Sequence, residues 1–393
     1  MRPLAGITVV ALEHAIAAPF ATRQLADLGA RVIKIERPGV GDFARSYDAR
    51  VRGLASHFVW TNRSKESLTL DVKHPEAQAI LHRLVRESAD VVVQNLAPGA
   101  AARIGLGWDA LAREKPSLIV CDISGYGGDG PHRDRKAYDL LIQSEAGFVS
   151  VTGTGQAPAK AGVPVADIAA GMYAYSNILA ALLHRQQTGR GQHIDVSMLE
   201  SLVEWMGFPL YYAFAGAPPP PRSGAAHAAI YPYGPFPAGD GTVVMLGLQN
   251  EREWAAFCAD VLRQPALAGD ERFATVAQRS ANRDALRELI VAAFAPLSGA
   301  EVVARLDTAG IANARVNDMH DVWGHPQLAA RGRWRDVATP AGRIPALLPP
   351  GSWEEGEPRC DAVPAVGQHT DAILAELGYT PERIAALRAD CAI

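Results

Sequence analysis

The sequence predicts an α/β fold built on a doubly wound parallel sheet, followed by a smaller α+β domain. β-rich runs alternate with helical segments through residues 1–200, and such alternation is typical of a parallel sheet with helices on both faces. A proline run, "APPPPR" at 217–222, then has the composition of a linker. We therefore predict a large domain in residues 1–200, a linker in 201–225 and a second domain from 226 onward.

The predicted elements follow one another in a regular order. Residues 7–12, "ITVVAL", and 31–36, "RVIKIE", are β-rich, and the helical segment between them ends at Gly29, which indicates a βαβ unit. The same pattern predicts strands at 67–72, 90–96 and 117–124, and helices at 74–89 and 108–113. Beyond the linker, residues 251–318 have a mostly helical pattern, and short strands and two helices, 370–377 and 381–387, follow.

A long helix is predicted after Asp167. Apolar residues recur at spacings of three and four and line one face: Ile168, Met172, Tyr175, Leu179 and Leu182. Gly189 follows the basic residues His184 and Arg185, as is typical of a helix end. Asp167 stands where an N-cap belongs, and the helix dipole would hold its carboxylate ionised there. A cap and a catalytic carboxylate both fit this residue.

Composition excludes several classes of protein. The 393 residues contain 38 Lys and Arg against 42 Asp and Glu, a net charge of −4, which does not favour nucleic-acid binding. The four cysteines form no CxxC or Cys/His cluster, so we expect reduced thiols and no metal. Glu13 and His14 interrupt the apolar N-terminal stretch, and the most apolar window, 166–183, contains Asp, Ser and Asn. We therefore expect a cytoplasmic protein without a membrane partner.

Common catalytic motifs are weak or missing. A GxGxxG pattern at Gly125, Gly127 and Gly130 follows a predicted strand, an arrangement that is typical of nicotinamide-dependent dehydrogenases. However, "PHRDRK" follows it where a phosphate-binding helix should begin, and the first βα turn, "LEHAIAAP", contains no glycine. The sequence contains no GxSxG, HExxH or Gly-rich GK[ST] motif, which disfavours serine hydrolases, zinc hydrolases and phosphoryl transferases.

Basic residues stand at or after several predicted strand ends: Arg37, Lys73, Arg103 and Lys136. The carboxyl ends of parallel strands meet at one edge of the sheet. The sequence therefore predicts an anion-binding crevice at this edge.

Eight stretches spread over nearly the whole chain carry a family resemblance. In order they are "PLAGITVVALEHAIAAPFATRQLADLGARVIKIERPGVGD", "NRSKESLTLDVKHPE", "ADVVVQNLAPGAAARIGLGW", "SLIVCDISGYGGDGP", "KAYDLLIQSEAG", "PVADIAAGMYAYSNILAALLHRQQTGRGQHIDVSMLES", "YPYGPFPAGDG" and "GQHTDAILAELGY". Together they resemble the family III CoA-transferases, also called the CaiB/BaiF family. The resemblance implies a Rossmann-like large domain, a smaller domain in 226–325, a return of residues 326–393 to the large domain, and a homodimer of two interlocked rings.

The resemblance also implies roles for individual residues. Asp167 matches the nucleophile that forms mixed acyl anhydride and aspartyl-CoA thioester intermediates. Coenzyme A or acyl-CoA is then a substrate, with no prosthetic group. The positions that match the family's CoA contacts are Ala15, Ile16, Arg37, Leu70, Lys73, Asn95, Leu96, Arg103, Ile104, Lys136 and Tyr138.

Two departures from the family bear on the substrates. The glycine-rich loop of formyl-CoA:oxalate members has no equivalent, since "RSGAAHAAIYPYGPF" occupies that region. We expect transfer from a donor such as succinyl-CoA to a dicarboxylic acid such as itaconate, mesaconate or citramalate, with candidate donors to the far carboxylate at His14, Arg45, Arg222 and His227. The alternative is an α-methylacyl-CoA racemase, which carries a histidine where this chain has Tyr138. A CoA-binding protein without turnover is a third possibility, and Asp167 argues against it.

Overall fold

The computed structural model describes residues 1–393, and six of its strands form one parallel sheet. The strands are β1 (Thr8–Leu12), β2 (Arg31–Glu36), β3 (Lys65–Thr69), β4 (Val91–Gln94), β5 (Ile119–Ser124) and β6 (His193–Ser197). They lie in the order β3-β2-β1-β4-β5-β6. The predicted α/β sheet is therefore confirmed, although β3 begins and ends earlier in the chain than the pattern suggested.

The sheet has its switch point at β1. This strand pairs with β2 on one side and with β4 on the other, so the chain runs outward from it in both directions. Strands β1 and β4 read as almost continuous runs of buried apolar residues, because both faces of a parallel sheet are covered. The loops that follow β1 and β4 meet at this point, where doubly wound folds bind their ligands.

Ten helices connect and follow the strands up to residue 212. They are α1 (Ala17–Asp27), α2 (Ser56–Thr61), α3 (Pro75–Ser88), α4 (Ala100–Arg103), α5 (Trp108–Glu114), α6 (Asp139–Glu145), α7 (Phe148–Val151), α8 (Val165–Thr188), α9 (Met198–Trp205) and α10 (Gly207–Tyr212). Most of α9 and all of α10 fall in the part of the chain expected to be a linker, 201–225. Their apolar residues continue a helical pattern up to the proline run, so only the later part of 201–225 is extended.

The chain divides into two compact units. The first comprises Met1–Gly147, Ala161–Gly207 and Leu328–Ile393, and the second comprises Phe148–Lys160 and Phe208–Gln327. The short segment Phe148–Lys160 within the second unit had no counterpart in the sequence prediction.

The second unit combines a small antiparallel sheet with helices. Its strands β7 (Tyr233–Pro237), β8 (Val243–Gly247) and β9 (Ala312–Arg315) pair in that order. Its helices are α11 (Glu251–Ala256), α12 (Val276–Ala281), α13 (Arg283–Phe294), α14 (Gly299–Thr308) and α15 (Met319–Trp323). Aromatic residues such as Trp254, Phe257 and Phe294 fill its core.

Residues from 328 onward complete the first unit. They form most of α16 (Pro326–Ala330), a hairpin of β10 (Trp334–Thr339) and β11 (Gly342–Leu347), and the helices α17 (Thr370–Glu376) and α18 (Pro381–Ala389). Leu374 and Leu387 from the last two helices lie in the same buried cluster as Leu68 and Val92 of the sheet. The Asp71 N–H donates to the Ala392 carbonyl at 2.9 Å.

Helix α8 is buried through a different face from the one predicted. Its buried residues are Ala166, Ala169, Ala170, Gly171, Ala174, Ile178, Ala181 and Leu182, whereas Met172 of the predicted face is 36% exposed. The reason is close packing on α1: a Cβ placed on Gly171 would lie 2.7 Å from the Ala17 carbonyl oxygen. By length and composition α8 is also the one helix that could cross a bilayer, and its small-residue face is instead packed inside the first unit.

Candidate active site

The loop after β1 is held in a strained conformation at the switch point. Ala15 has a φ of 60°, which a non-glycine residue adopts only at a cost. Asp42 Oδ1 accepts the Ala15 N–H at 3.3 Å. The Asn95 amide brackets His14, accepting its N–H at 3.0 Å and donating to its carbonyl at 2.9 Å. Groups that follow β2 and β4 thus fix this loop from both sides.

A fully buried cluster of charges supports the same loop. Lys34 Nζ lies 2.8 Å from Asp42 Oδ2, and Lys65 Nζ lies 2.6 Å from Glu13 Oε1. Burial alone would raise the pKa of Glu13, but Lys65 and Lys34 hold it below its usual range. Buried charges persist only when they are paired. These four residues were not among the candidates predicted from the sequence, although a lysine inside an apolar strand such as "RVIKIE" is a signal for such a pair.

A crevice of about 290 Å³ opens beside this loop. Four residues predicted from the sequence line it: His14, Arg37, Leu70 and Leu96. Its other lining residues come from the ends of β1 and β2 and from the segments after β2 and β3: Leu12, Glu13, Ile35, Glu36, Gly41, Asp42, Phe43 and Val72. The crevice therefore lies at the edge of the sheet that the parallel topology predicted.

The other predicted contact residues do not line the crevice. Lys73, Arg103 and Lys136 are exposed on the segments that follow β3, β4 and β5. Ile16 is buried at the start of α1, and Tyr138 precedes α6 and is 69% exposed. Asn95 holds the loop after β1 through its side chain, as described above, and Ala15 and Ile104 are half-buried.

Asp167 lies inside the first turn of α8 and is not its N-cap. Pro164 occupies the cap position and makes no side-chain cap. Asp139, the first residue of α6, caps the helix instead: its Oδ1 accepts the N–H groups of Ala166 at 2.8 Å and Asp167 at 3.3 Å. Its Oδ2 accepts from Gln143 Nε2 at 2.6 Å. The carboxylate of Asp167 is therefore free of capping.

Asp139 was not among the candidate residues predicted from the sequence. Its position at the start of "DLLIQSEAG" suggests a cap for its own helix, and no local pattern indicates that it caps α8, 26 residues further along. The Asp139–Gln143 pair fixes the segment that carries Asp167, because Gln143 Oε1 also accepts the Ala161 N–H at 2.9 Å.

The electrostatics of Asp167 differ from the expectation. Burial, together with the negative charge of Asp139, raises its pKa to about 7. We expected the helix dipole to keep this group fully ionised, but burial outweighs the dipole, and Asp139 already occupies the free N–H groups. At neutral pH the carboxyl group is therefore divided between its protonated and ionised forms.

Helix packing places Asp167 beside the loop after β1. Gly171, one helical turn after Asp167, contacts the backbone of Ala17 at the start of α1. The Asp167 charge also reaches Tyr47: burial, then Asp42 and Asp167, raise the pKa of the Tyr47 phenol to about 12. Asp167, the nucleophile predicted from the family resemblance, therefore lies in the first turn of the helix that packs on α1, the helix that follows this loop. It is not among the residues that line the crevice.

Two of the predicted donors to the substrate, His14 and Arg45, lie in the first unit, and only His14 is available to bind a ligand. The His14 ring packs against Phe43 with centroids 5.0 Å apart, and burial lowers its pKa despite the nearby Asp42. Arg45, by contrast, is not available as predicted. Its guanidinium forms a bidentate pair with Glu36 at 2.9 and 2.7 Å and lies 3.7 Å from the Phe58 ring centroid.

The other two donors lie in the second unit and organise its loops. Arg222 Nε donates to the Thr154 carbonyl at 2.9 Å. His227 Nδ1 accepts the Ile230 N–H at 2.9 Å, and its ring stacks on Tyr233 at 5.4 Å. These bonds leave the second ring nitrogen of His227 as the remaining hydrogen-bonding group of that side chain.

Comparisons with known proteins match this description. A profile of CoA-transferase family III matches residues 4–370. A succinate–glutarate CoA-transferase of Agrobacterium fabrum is 37% identical and covers 98% of this chain and 97% of its own length. A succinyl-CoA:glutarate CoA-transferase of Mus musculus is 34% identical and covers 96% of this chain and 87% of its own.

A solved structure agrees with the fold as well. The crystal structure of a CaiB/BaiF family protein from Brucella suis superposes with a TM-score of 0.83 at 35% identity, covering 95% of this chain and 99% of that one. The resemblance seen in the sequence is confirmed, and the chain belongs to the family III CoA-transferases.

Proposed function

We propose that this CoA-transferase moves CoA from succinyl-CoA to a short dicarboxylic acid, with Asp167 as the nucleophile. The observation that supports this most directly is the Asp167 carboxyl group: it is free of capping bonds, has a pKa of about 7, and lies one helical turn before Gly171, which packs against α1. A nucleophile with a pKa near the working pH is ionised in a useful fraction of molecules and remains strongly basic.

The proposed transfer proceeds in balanced steps. An Asp167 oxygen attacks the thioester carbonyl, the C–S bond breaks, and a mixed anhydride and CoA thiolate result. The thiolate attacks the aspartyl carbonyl, which releases the first acid and leaves an aspartyl-CoA thioester. The acceptor carboxylate attacks that carbonyl and expels CoA thiolate, which then attacks the acyl carbonyl of the new anhydride. The new acyl-CoA leaves, and the Asp167 carboxylate is restored.

The crevice is the proposed binding site for CoA. Arg37 lines it together with apolar residues such as Leu70 and Leu96, a combination that suits a base and its phosphates. We propose that the exposed Lys73, Arg103 and Lys136 add phosphate contacts from neighbouring strand ends. The remaining contacts proposed from the family match are Ala15, Ile16, Asn95, Ile104 and Tyr138.

The acceptor is proposed from relatives and from the site. Similar proteins are named for transfer to glutarate, D-citramalate and mesaconate with succinyl-CoA, so acids of this class, itaconate among them, are the proposed acceptors. His14, which lines the crevice, is the proposed donor to the acid in the first unit. The proposal also includes a cytoplasmic homodimer. Each unit exposes large apolar side chains, such as Leu183 at 61% and Tyr211 at 81%, that a second copy would cover.

The test is a product screen. Succinyl-CoA is incubated with glutarate, citramalate, mesaconate or itaconate, and acyl-CoA products are identified by mass, with Asp167→Asn as the inactive control. Formation of at least one new dicarboxyl-CoA by the wild type alone is expected. A parallel reaction with chiral 2-methylacyl-CoA in deuterated water tests the racemase alternative: α-deuteration without any transfer would overturn the proposal. Light scattering tests the dimer.

A further inference from the structure

A line of hydrogen bonds crosses three neighbouring strands on one face of the large sheet. His193 Nε2, at the start of the edge strand β6, lies 2.8 Å from Asp122 Oδ2 on β5. The second oxygen, Asp122 Oδ1, accepts from Gln94 Nε2 on β4 at 2.9 Å. Gln94 Oε1 then accepts the Leu96 N–H at 2.7 Å. The line therefore joins the edge of the sheet to a residue that lines the crevice.

The direction of each bond follows from the chemistry of Asp122. An ionised carboxylate only accepts hydrogen bonds, so Gln94 must turn its NH₂ group toward Asp122 and its oxygen toward Leu96. His193 stabilises this state by donating to Asp122. If Asp122 changed its orientation, Gln94 could reverse its amide, and the Leu96 N–H would lose its acceptor.

The His193 ring is itself held in place. It stacks on Trp108 with centroids 5.6 Å apart and planes 9° from parallel. The charged groups that face it are carboxylates, Asp122, Asp195 and Asp109; the hydrogen bond to Asp122 outweighs burial, and together these groups raise the pKa of His193. The ring is thus oriented by one neighbour and hydrogen-bonded to another.

The last residues of this hydrogen-bonded line lie next to two residues that line the crevice. Gln94, Asn95 and Leu96 are consecutive: Leu96 lines the crevice, and Asn95 brackets the backbone of His14, which also lines it. The Gln94 amide thus holds the backbone N–H of Leu96, the residue that follows Asn95, through one hydrogen bond.

We infer that His193 is a positioning residue for acyl-CoA binding, acting through Asp122 and Gln94 on the wall of the crevice. The inference rests on the proposed function in one respect, that the crevice receives the CoA part of the substrate.

The test compares two substitutions of His193. His193→Phe keeps a ring to stack on Trp108 and removes the donor, whereas His193→Gln keeps a donor. Calorimetry with CoA alone should show about 5- to 10-fold weaker binding to the Phe variant, as expected for a lost charge-assisted hydrogen bond, and recovery toward wild type in the Gln variant. In turnover assays the KM for acyl-CoA should rise alone, with kcat and the KM for the acid unchanged. His184→Phe, on the exposed end of α8, is the matched control.

The outcomes separate this inference from the proposed function. If His193→Phe is folded by circular dichroism and binds CoA like the wild type, or if the wild type binds no CoA, the inference fails. If the wild type binds CoA, the Phe variant binds it weakly, and no dicarboxylate accepts CoA, then the inference stands and the proposed acceptor class fails. Asp122→Asn, which allows Gln94 to reverse, replaces the Phe variant if that protein does not fold, and the same loss is expected.

Discussion

Replacing Asp139 by Asn should move the pH dependence of catalysis to more acidic values. Asp139 accepts the Asp167 N–H at 3.3 Å, which puts the two carboxyl groups roughly 6 Å apart. At an effective dielectric constant of about 20 their repulsion is about 3 kcal/mol, or about 2 pKa units, and partial solvent screening reduces this to about 1 unit. Burial, the larger cause of the raised pKa, is unchanged, so the pKa of Asp167 should fall from about 7 only to about 6.

The assay is kcat/KM for succinyl-CoA between pH 5 and 9, which reports the ionisation of the free enzyme. The ionised fraction at pH 6 should rise about fivefold in Asp139→Asn, with little change at pH 8.5. The Asn oxygen can still cap α8, but the Asn NH₂ group replaces the oxygen that accepts from Gln143 Nε2, so the variant should lose about 1 kcal/mol of stability. Asp139→Ala, which also removes the cap, should lose about 0.5–2 kcal/mol more. Asp129→Asn, at an exposed carboxylate, is the control. An acid limb that stays in place in Asp139→Asn would refute the electrostatic reasoning.

Three further predictions concern other parts of the first unit. Asp167→Asn should abolish transfer yet raise the melting temperature, more at pH 8 than at pH 5: a raised carboxyl pKa costs stability once pH exceeds its ordinary value, fully so above about 7. Calorimetry at both pH values measures this, and a lower melting temperature at pH 8 would contradict it. Gly171→Ala should lower the free energy of unfolding by about 1–3 kcal/mol in urea, because α1 and α8 are in close contact there; Gly155→Ala, in open space, should be neutral, and equal effects would refute the packing argument. Arg37→Ala should raise the KM for acyl-CoA more than it lowers kcat, unlike the exposed Arg133→Ala; an unchanged KM with a collapsed kcat would assign Arg37 a catalytic role.

The sheet could be predicted because its signal is local. β-branched runs such as residues 31–36 alternate with helices that end at glycine, and parallel pairing then follows from the connections. The edge that bears the crevice follows from the topology, and Arg37, one of the four basic residues predicted at this edge, lines the crevice. Leu70 and Leu96, which also line it, were named from the family resemblance. The family, too, could be identified because its stretches run along the whole chain.

The finer structure of the site depends on contacts between distant residues. The buried face of α8 consists mostly of alanines. Alanine is only weakly hydrophobic, so the periodicity of the sequence favours the face that carries Met172 and Leu179. The buried face can be recognised only from the packing of α1 against it. The cap from Asp139 and the pairing of Arg45 with Glu36 join residues whose proximity no local pattern encodes. The first contact replaces Asp167 as the cap of α8, and the second removes Arg45 as a candidate donor to the substrate.

The division of the first unit along the chain has a consequence for how the protein is made. The sheet is encoded before residue 207, yet its buried cluster includes residues of α17 and α18, beyond residue 370. On the ribosome, the residues of the second unit from 208 to 327 all emerge before that cluster can close. The nascent sheet, covered on that side only in part by helices such as α3, therefore stays incomplete while about 160 residues are added, at roughly 5–20 residues per second. For about ten to thirty seconds, apolar residues of the sheet that α17 and α18 later bury thus stay open to solvent.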